Sequence, residues 1–232
     1  MSSPAPRTVV ITGAFGALGS AVARRFLAQG ARLGLIDRAA APAWAREAFA
    51  SPHVLVGAVD LADLTAAGAA FEQIAAGGRP EVLVNVAGGF RYEKLANGDP
   101  ATWELMFSMN LKTAVVASRA ALPYLLSGGG CIINIGAAAA ARGHTGTGAY
   151  AASKAGVERL SESLAEELKE QNITVNTILP GTLDTPANRA AMPDADVTRW
   201  VPPDAVADVV VFLASQAARA VTGAGIRVFG RG

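Results

Sequence analysis

A chain of 232 residues with 51% hydrophobic and 17% charged residues can form one globular domain with a large core, which excludes a disordered or fibrous protein. The formal net charge of +1, without a long basic or acidic block, gives no reason to expect nucleic acid or an anionic membrane as partner and favours a small-molecule ligand. The single cysteine, Cys131, lies in an apolar run, so we expect a buried thiol and a reducing compartment.

The chain begins with a short segment, residues 1–7, that lacks the apolar stretch of a signal peptide. No later stretch reaches the ~18 apolar residues of a membrane span. We therefore predict a flexible N-terminus over residues 1–7 and a cytoplasmic protein without membrane contact. His144 has no partner at metal-ligand spacing and His53 carries no functional signal, so no metal site is predicted.

Short β-branched runs then alternate with longer Ala-rich segments of helical period. The pattern predicts a helix at 18–29 and strands at 8–12, 32–36, 54–59, 81–86, 130–135, 173–179 and 225–229. Because parallel strands need a connection of a dozen or more residues, strands separated by single helices indicate right-handed crossovers. The sequence predicts a single doubly wound α/β domain over residues 8–232, with a parallel sheet of about seven strands and helices on both faces.

A glycine-rich turn joins the first predicted strand to the first helix. Glycines allow a tight turn and close approach of a ligand, and a helix N-terminus supplies free amides and a partial positive charge. The alternative is an ordinary strand-to-helix turn. We predict that this turn binds the pyrophosphate of a dinucleotide, through Gly13, Phe15, Gly16, Ala17, Leu18 and Gly19.

Acidic and small residues follow the next three predicted strands. Asp37 can accept hydrogen bonds from both hydroxyls of an adenosine ribose and would repel a 2′-phosphate, so NAD(H) is favoured. Arg38 beside it could compensate if Asp37 turned away, which keeps NADP(H) open, and a solvated Asp at a strand end is the alternative. The remaining candidates are Asp60 and Leu61, expected beside an adenine, and Asn85, Ala87 and Gly88, expected beside a ribose.

Tyr150 and Lys154 lie four positions apart in a predicted helix, so their side chains face the same way. A nearby ammonium favours tyrosinate and lowers the pKa of the phenol from about 10 toward neutral pH. General acid-base catalysis uses such a group, although the same spacing also occurs as a plain surface contact.

These motifs, with Asn110 and the run from Pro180 to Thr185, resemble the short-chain dehydrogenases/reductases in order and approximate spacing. The resemblance implies a Rossmann-type fold, with Tyr150 as general acid/base and Lys154 lowering the pKa of Tyr150 and holding the nicotinamide ribose. It implies that Asn110 anchors a water leading protons to Lys154, and that the protein is a homodimer or homotetramer. The residues implied to lie against the nicotinamide are Pro180, Gly181, Thr182 and Thr185.

Two positions depart from that family. Ala17 stands where the second glycine of the turn is usual, which suggests a slightly remodelled phosphate turn. Ala137 stands where the catalytic serine is usual, and residues 136–141 lack a hydroxyl. Loss of a donor to a developing alkoxide removes about 2.7 to 4 kcal/mol in oxyanion sites generally, so an ordinary ketone is expected to be a poor substrate. Thr145 or Thr147 could substitute only if their loop folds inward.

The same departures, with Phe90 after Ala87-Gly88-Gly89 and the segment from Thr182 to Trp200, resemble the dihydropteridine reductases. This resemblance implies a quinonoid dihydropterin-like imine as substrate, which one proton donor serves, with Ala137 leaving room for a flat ring. Residues 186–200 are predicted to form a substrate lid. The candidate substrate contacts are Phe90, Ala137, Arg189 and Trp200.

The leading interpretation is an NAD(H)-dependent short-chain oxidoreductase that uses Tyr150 and Lys154 without the serine. One alternative is a carbonyl reductase or alcohol dehydrogenase in which Thr145, Thr147 or a water replaces the serine. Another is a non-catalytic NAD(H)-binding sensor or scaffold, against which the retention of Tyr150, Lys154 and Asn110 argues.

Overall fold

The computed structural model describes residues 6–230, which form a seven-stranded sheet between layers of helices. The strands are β1 (Thr8–Thr12), β2 (Arg32–Ile36), β3 (Val54–Val56), β4 (Pro80–Asn85), β5 (Gly130–Ile135), β6 (Ile173–Pro180) and β7 (Gly225–Val228). The α-helices of the described part are α1 (Ala17–Ala28), α2 (Ala43–Ala48), α3 (Leu64–Ala75), α4 (Pro100–Met106), α5 (Thr113–Leu126), α6 (Gly148–Leu168), α7 (Pro186–Ala191) and α8 (Pro203–Leu213).

The sheet has the order β3-β2-β1-β4-β5-β6-β7, and every neighbouring pair is parallel. The predicted doubly wound architecture is confirmed, with strand ends within one residue of expectation except at β3. That strand ends at Val56 instead of residue 59. The backbone at Gly57 runs so close to Ala41 that a Cβ would lie 2.7 Å from the Ala41 amide nitrogen, and Ala58 has a left-handed φ of 60°, which a strand does not allow. The chain therefore turns away from the sheet there.

Alternate residues of each strand pack against opposite helical layers. Val9 and Ile11 face α1 and α8, whereas Val10 faces α3, α5 and α6. Cys131 is buried on the α1 side, as predicted, and burial raises the pKa of its thiol to about 11. The thiol is therefore protonated at neutral pH.

The two ends of the chain lie only partly inside the described range. The flexible segment predicted over residues 1–7 falls outside it except for residues 6 and 7, as do the last two residues of the predicted domain. Arg7 is held in place, because its guanidinium donates to the carbonyl oxygen of Ala214. Among the helices that are described, none is long and apolar enough to cross a membrane.

Two features of the fold position the candidate site. The chain order reverses between β1 and β4, so the loops that follow these strands separate and leave a crevice at their carboxyl ends, where ligands bind in such sheets. A π-helical segment, Phe107–Lys112, joins α4 to α5 and contains the buried Asn110. Single π-helical turns of this kind often occur at functional sites.

Candidate active site

The glycine turn after β1 contains two glycines that the fold requires, because no side chain fits there, and one glycine that leaves open space for a ligand. Gly13 has a φ of +62°, and a Cβ there would lie 2.8 Å from the amide nitrogen of Ala87. A Cβ at Gly19 would overlap the carbonyl oxygen of Gly13. Gly16 is different, because a Cβ there would lie no closer than 3.5 Å to any neighbouring atom, the same Gly13 oxygen. Both Gly16 and Ala17 are exposed. The methyl of Ala17 therefore disturbs no protein contact.

The N-terminus of α1 is suited to an anion. Its N-cap, Gly16, offers no side chain to the first amides of the helix, and the first turn contains no acidic residue. The first amides of a helix have no intrahelical acceptor, and they carry the positive end of the helix dipole. These free amides and the open space at Gly16 fit the pyrophosphate of a dinucleotide.

Asp37 lies beside this turn, as its predicted role requires. One carboxylate oxygen accepts from the amide of Phe15 at 2.8 Å, and the other accepts from the amide of Ala39 at 2.9 Å. Each oxygen keeps a further lone pair for a ribose hydroxyl. The amide of Phe15 is used by Asp37 and its ring packs against the core on the α1 side, so contact of Phe15 with a cofactor stays a prediction.

The candidates after β3 divide between surface and core. Asp60 is exposed, and one of its carboxylate oxygens accepts from the amide of Ala62 at 2.9 Å, which leaves the other oxygen open. The side chain of Leu61 is buried in the core on the α3 side, so only the backbone of Leu61 is left to face an adenine.

The prediction for Asn85 is corrected by the structure. Its side chain is buried and donates to Ser118 Oγ at 3.2 Å and to Asn134 Oδ1 at 2.8 Å, so it braces the interior instead of facing the crevice. The loop that it begins is held by Thr12, whose hydroxyl oxygen accepts from the amides of Val86 and Ala87 at 3.1 and 3.2 Å. The sequence pattern did not single out this role of Thr12, since the partners lie more than seventy residues apart.

Asn110 and Lys154 meet on either side of Gly88. The Oδ1 atom of Asn110 accepts from the amide of Gly89 at 2.8 Å, and Lys154 Nζ donates to the carbonyl oxygen of Ile135 at 2.7 Å. A Cβ at Gly88 would lie 2.6 Å from Asn110 Oδ1 and 3.4 Å from Lys154 Nζ. Gly88 therefore makes this close approach possible, and the predicted proximity of Asn110 to Lys154 is present.

Tyr150 lies in the first turn of α6, and burial rather than Lys154 controls its proton. Burial raises the pKa of Tyr150 to about 12 and lowers the pKa of Lys154 to about 8. The expected lowering of the pKa of Tyr150 by Lys154 is therefore corrected, because desolvation raises this pKa and the Lys154 ammonium donates to the Ile135 carbonyl oxygen. At neutral pH the phenol retains its proton and Lys154 is mostly charged.

Ser153 links these residues and was not predicted as a site residue. Its hydroxyl donates to the carbonyl oxygen of Tyr150 at 2.7 Å and accepts from Asn110 Nδ2 at 2.9 Å. A hydroxyl has one hydrogen, so these two contacts fix the orientation of the Asn110 amide. The signal in the sequence is a small polar residue that precedes Lys154 and lies on the buried side of α6.

The end of β5 carries no hydroxyl near Tyr150. Ala137 is buried and extended, and a short 3₁₀ turn at Ala138–Ala140 follows it. Thr147 Oγ1 accepts from the amide of His144 and donates to its carbonyl oxygen, both at 2.9 Å, so it is engaged locally. Thr145 is exposed. The Thr147 hydroxyl is therefore not free to replace a serine at position 137.

The segment from 183 to 201 leaves the body and returns to it at one point. Leu183 and Val201 form a parallel bridge, and the amide of Val201 donates to the carbonyl oxygen of Thr182 at 2.8 Å. Thr185 caps α7 by accepting from the amide of Asn188 at 3.2 Å, and its own hydroxyl hydrogen stays free. The run of Pro180, Gly181 and Thr182 adjoins this bridge, because Pro180 ends β6.

Arg189 and Trp200 are the two residues of this segment predicted to contact substrate; Arg189 is paired within the segment, and the role of Trp200 stays a prediction. Arg189 donates twice to Asp184, at 2.6 and 2.8 Å, which corrects its prediction as a free substrate contact. Asp184 lies just before α7 and Arg189 lies within it, so the guanidinium reaches the carboxylate and forms a bidentate pair with it. Trp200 is partly buried directly before Val201, where the segment rejoins the body.

The site and fold have clear relatives. The family model described as short chain dehydrogenase matches residues 7–196. The chain is 35% identical to (3R)-3-hydroxyacyl-CoA dehydrogenase of Canis lupus familiaris, covering 95% of this chain and 94% of that protein. It is 29% identical to meso-2,3-butanediol dehydrogenase of Serratia marcescens, covering 97% and 93%. A short-chain type dehydrogenase/reductase from Mycobacterium ulcerans has a TM-score of 0.89 at 27% identity, covering 97% and 89%.

The chain belongs to the short-chain dehydrogenase family. It is an NAD(P)-dependent oxidoreductase.

Proposed function

We propose that the protein transfers hydride between NAD(H) and a small substrate, with Tyr150 as the only side-chain proton donor at the reacting atom. The observation that carries this proposal is Ala137 at the end of β5, together with the engagement of Thr147 by His144. Without a second donor, the substrate has to be one whose reduction needs no strongly stabilised alkoxide. A quinonoid dihydropterin-like imine has this property, and small side chains from Ala137 to Ala140 suit a flat ring.

The proposed chemistry assigns each proton to an atom of this chain. The cofactor, when bound, supplies or accepts the hydride. As the C=N or C=O bond of the substrate becomes a C–H and an N–H or O–H, the Tyr150 hydroxyl gives its proton to the nitrogen or oxygen. The charged Lys154, four residues away on the same helix, stabilises the tyrosinate that is left. Asn110 is proposed to hold the water that returns a proton toward Lys154.

NAD(H) rather than NADP(H) is the proposed cofactor. The position of the Asp37 carboxylate beside the phosphate turn supports this, because a 2′-phosphate would approach a negative charge. Both carboxylate oxygens accept backbone amides, so Asp37 is not free to turn away as the compensating role of Arg38 would require. The uncapped start of α1, without an acidic residue in its first turn, supports assigning the pyrophosphate to the amides of Ala17 and Leu18.

A single panel tests the proposed function. Purified protein is mixed with NADH and with quinonoid dihydropterin, a simple ketone or a quinone, and loss of NADH absorbance is followed, with NADPH in parallel. Turnover of the quinonoid compound at least tenfold faster than of the ketone is expected. Equal rates on both substrates contradict the single-donor proposal. A higher efficiency with NADPH contradicts the role of Asp37.

A carbonyl or alcohol substrate is the second candidate. Relatives named for hydroxyacyl-CoA and for butanediol support it, since both of those proteins are named for alcohol oxidation. In this chain a water would have to stand in for the serine, because Thr147 is engaged by His144. Turnover of acetoacetyl-CoA or butanedione with NADH, at a rate comparable to that of the quinonoid compound, favours this candidate.

We also propose that the chain pairs with a second copy through α5 and α6. Two exposed apolar side chains support this, Phe107 in the π-helical segment before α5 and Val115 in α5 itself. Sedimentation velocity at micromolar concentration tests it, and a purely monomeric protein contradicts it.

A non-catalytic sensor is the remaining function, and it is eliminated if Tyr150→Phe abolishes a measured turnover while NADH binding persists.

A further inference from the structure

Three large aromatic side chains surround the loop that leads into Tyr150, and we define Phe90, Tyr92 and Trp103 as the aromatic rim. Their exposures are 49%, 59% and 41%. By contrast Phe26, Phe49 and Phe71 are at most 3% exposed, so the fold has ample capacity to bury aromatic rings. Large apolar side chains that stay exposed together mark a binding surface more often than chance exposure does.

Each ring of the rim contacts the segment that carries the catalytic phenol. The Phe90 ring meets the Tyr150 ring edge to face, with centroids 5.0 Å apart and planes at 82°. The Tyr92 ring occupies the space beside Gly146 where a Cβ would otherwise lie. The Trp103 ring is 3.3 Å from the position of a Cβ at Gly148. The rim therefore follows the chain from residue 146 to residue 150.

The rim is held rigidly rather than carried on a loose loop. The amide of Glu93 donates to the carbonyl oxygen of Gly146 at 2.8 Å, which ties the loop after β4 to the loop before α6. The Glu93 carboxylate accepts from the amide of Asp99 at 2.9 Å and from Thr102 Oγ1 at 3.1 Å, which ties it to the start of α4. Rings fixed in advance lose little entropy when a ligand packs on them.

We infer that the aromatic rim selects flat, conjugated ring substrates, with Phe90 as the residue that sets this preference. The inference rests on the proposed hydride transfer and extends it, because the Phe90 ring packs edge to face against the Tyr150 ring, whose hydroxyl is the proposed proton donor. An aromatic or quinonoid ring gains offset or edge contacts there that an aliphatic substrate of the same reacting group cannot make.

Two diketones separate ring recognition from chemistry. Both 9,10-phenanthrenequinone and 2,3-butanedione present adjacent carbonyls, but only the first is a flat aromatic ring system. The measured quantity is the ratio of their kcat/KM values with NADH. In Phe90→Leu this ratio is expected to fall about three- to tenfold, the range that corresponds to one aromatic contact. Phe212→Leu is the matched control, because Phe212 is also 49% exposed but lies on α8, and its ratio should equal that of the wild type.

Binding is measured in parallel, so that the inference is tested even without turnover. Calorimetric titration of phenanthrenequinone should give weaker binding in Phe90→Leu than in the wild type or Phe212→Leu. If the wild type reduces neither diketone, the proposed function fails with these probes, and the affinities still decide the role of the rim. Equal affinities and equal ratios overturn the inference. So does a Phe90→Leu protein that changes its sedimentation coefficient with an unaltered ratio, since the rim would then be a contact between copies.

Discussion

The phosphate turn and the end of β5 each differ from the usual family pattern by one alanine, yet the two changes have opposite consequences. Ala17 lies in a site that works through backbone amides, and its methyl is exposed. Ala137 lies where the family usually has a serine, so the hydrogen bond that a serine hydroxyl would donate to the substrate is lost with the side chain. A site built from backbone groups tolerates a change of side chain, whereas a site built from one hydroxyl does not.

The strongest test of the side-chain region is Tyr150→Phe. This change removes the only proposed proton donor and leaves the ring in contact with Phe90. We expect turnover to fall by about 10²–10⁴, the usual contribution of a general acid. NADH affinity, measured by fluorescence titration, should change less than threefold. A variant that keeps more than a tenth of the wild-type rate would assign the proton to another group.

The next largest effect is expected from Ala137→Ser, which restores the missing hydroxyl. Efficiency with a simple ketone should rise at least tenfold, toward the about 10²–10³ that one oxyanion donor contributes. Ala138→Ser, one residue further along the 3₁₀ turn, serves as control and should leave ketone efficiency within about twofold of wild type. No gain in Ala137→Ser would show that the alanine does not limit ketone reduction.

The pH profile tests the role of charge in the same region. Lys154 has a pKa of about 8, so its ammonium is present below that pH and is lost as pH rises through it. If that charge stabilises the tyrosinate, NADH oxidation should fall about tenfold between pH 7 and pH 9. The Lys154→Met variant should have a low rate that does not change between pH 7 and pH 9. A flat wild-type profile over this interval would separate the ammonium from catalysis.

A smaller effect is expected where a side chain assists the backbone site. Asp37→Ser removes the carboxylate that accepts from the amides of Phe15 and Ala39 and that is proposed to repel a 2′-phosphate. The NADPH-to-NADH efficiency ratio should rise about tenfold, because a repulsion is removed. Asp60→Ser, in the exposed loop that follows β3, should leave the ratio unchanged, and equal ratios in both variants would contradict the role of Asp37.

The smallest effect is expected in the turn itself. Ala17→Gly should change NADH affinity and the midpoint of thermal unfolding little, about threefold at most for affinity, since Ala17 is exposed at the first position of α1. Gly19→Ala is the contrasting variant, because its methyl would overlap the Gly13 carbonyl oxygen and should destabilise the fold. A large loss of affinity in Ala17→Gly would mean that the methyl itself contacts the cofactor.

Local pattern predicted much of this molecule. The predicted strands at 8–12, 32–36 and 130–135 agree with the structure to the residue, whereas the predicted β3 is too long because the left-handed Ala58 gives no signal in a run of apolar residues. Asn110 and Lys154, which the family resemblance links through a water, lie close together in the structure, both near Gly88. These predictions rest on spacing along the chain, which a helix or strand converts directly into direction.

The alternating α/β order, the glycine turn, the Tyr150 and Lys154 pair and the absence of a hydroxyl at 137 follow from the sequence, because each depends on residue type and on neighbours in the chain. The partner of each polar group follows only from the packing of the folded chain. Asn85 turned to Ser118, Arg189 paired with Asp184, and Ser153 joined Asn110 to Tyr150. Burial, a property of the packed whole, set the pKa values of Tyr150 and Lys154. Such contacts depend on which distant segments pack together, and desolvation depends on everything around the group.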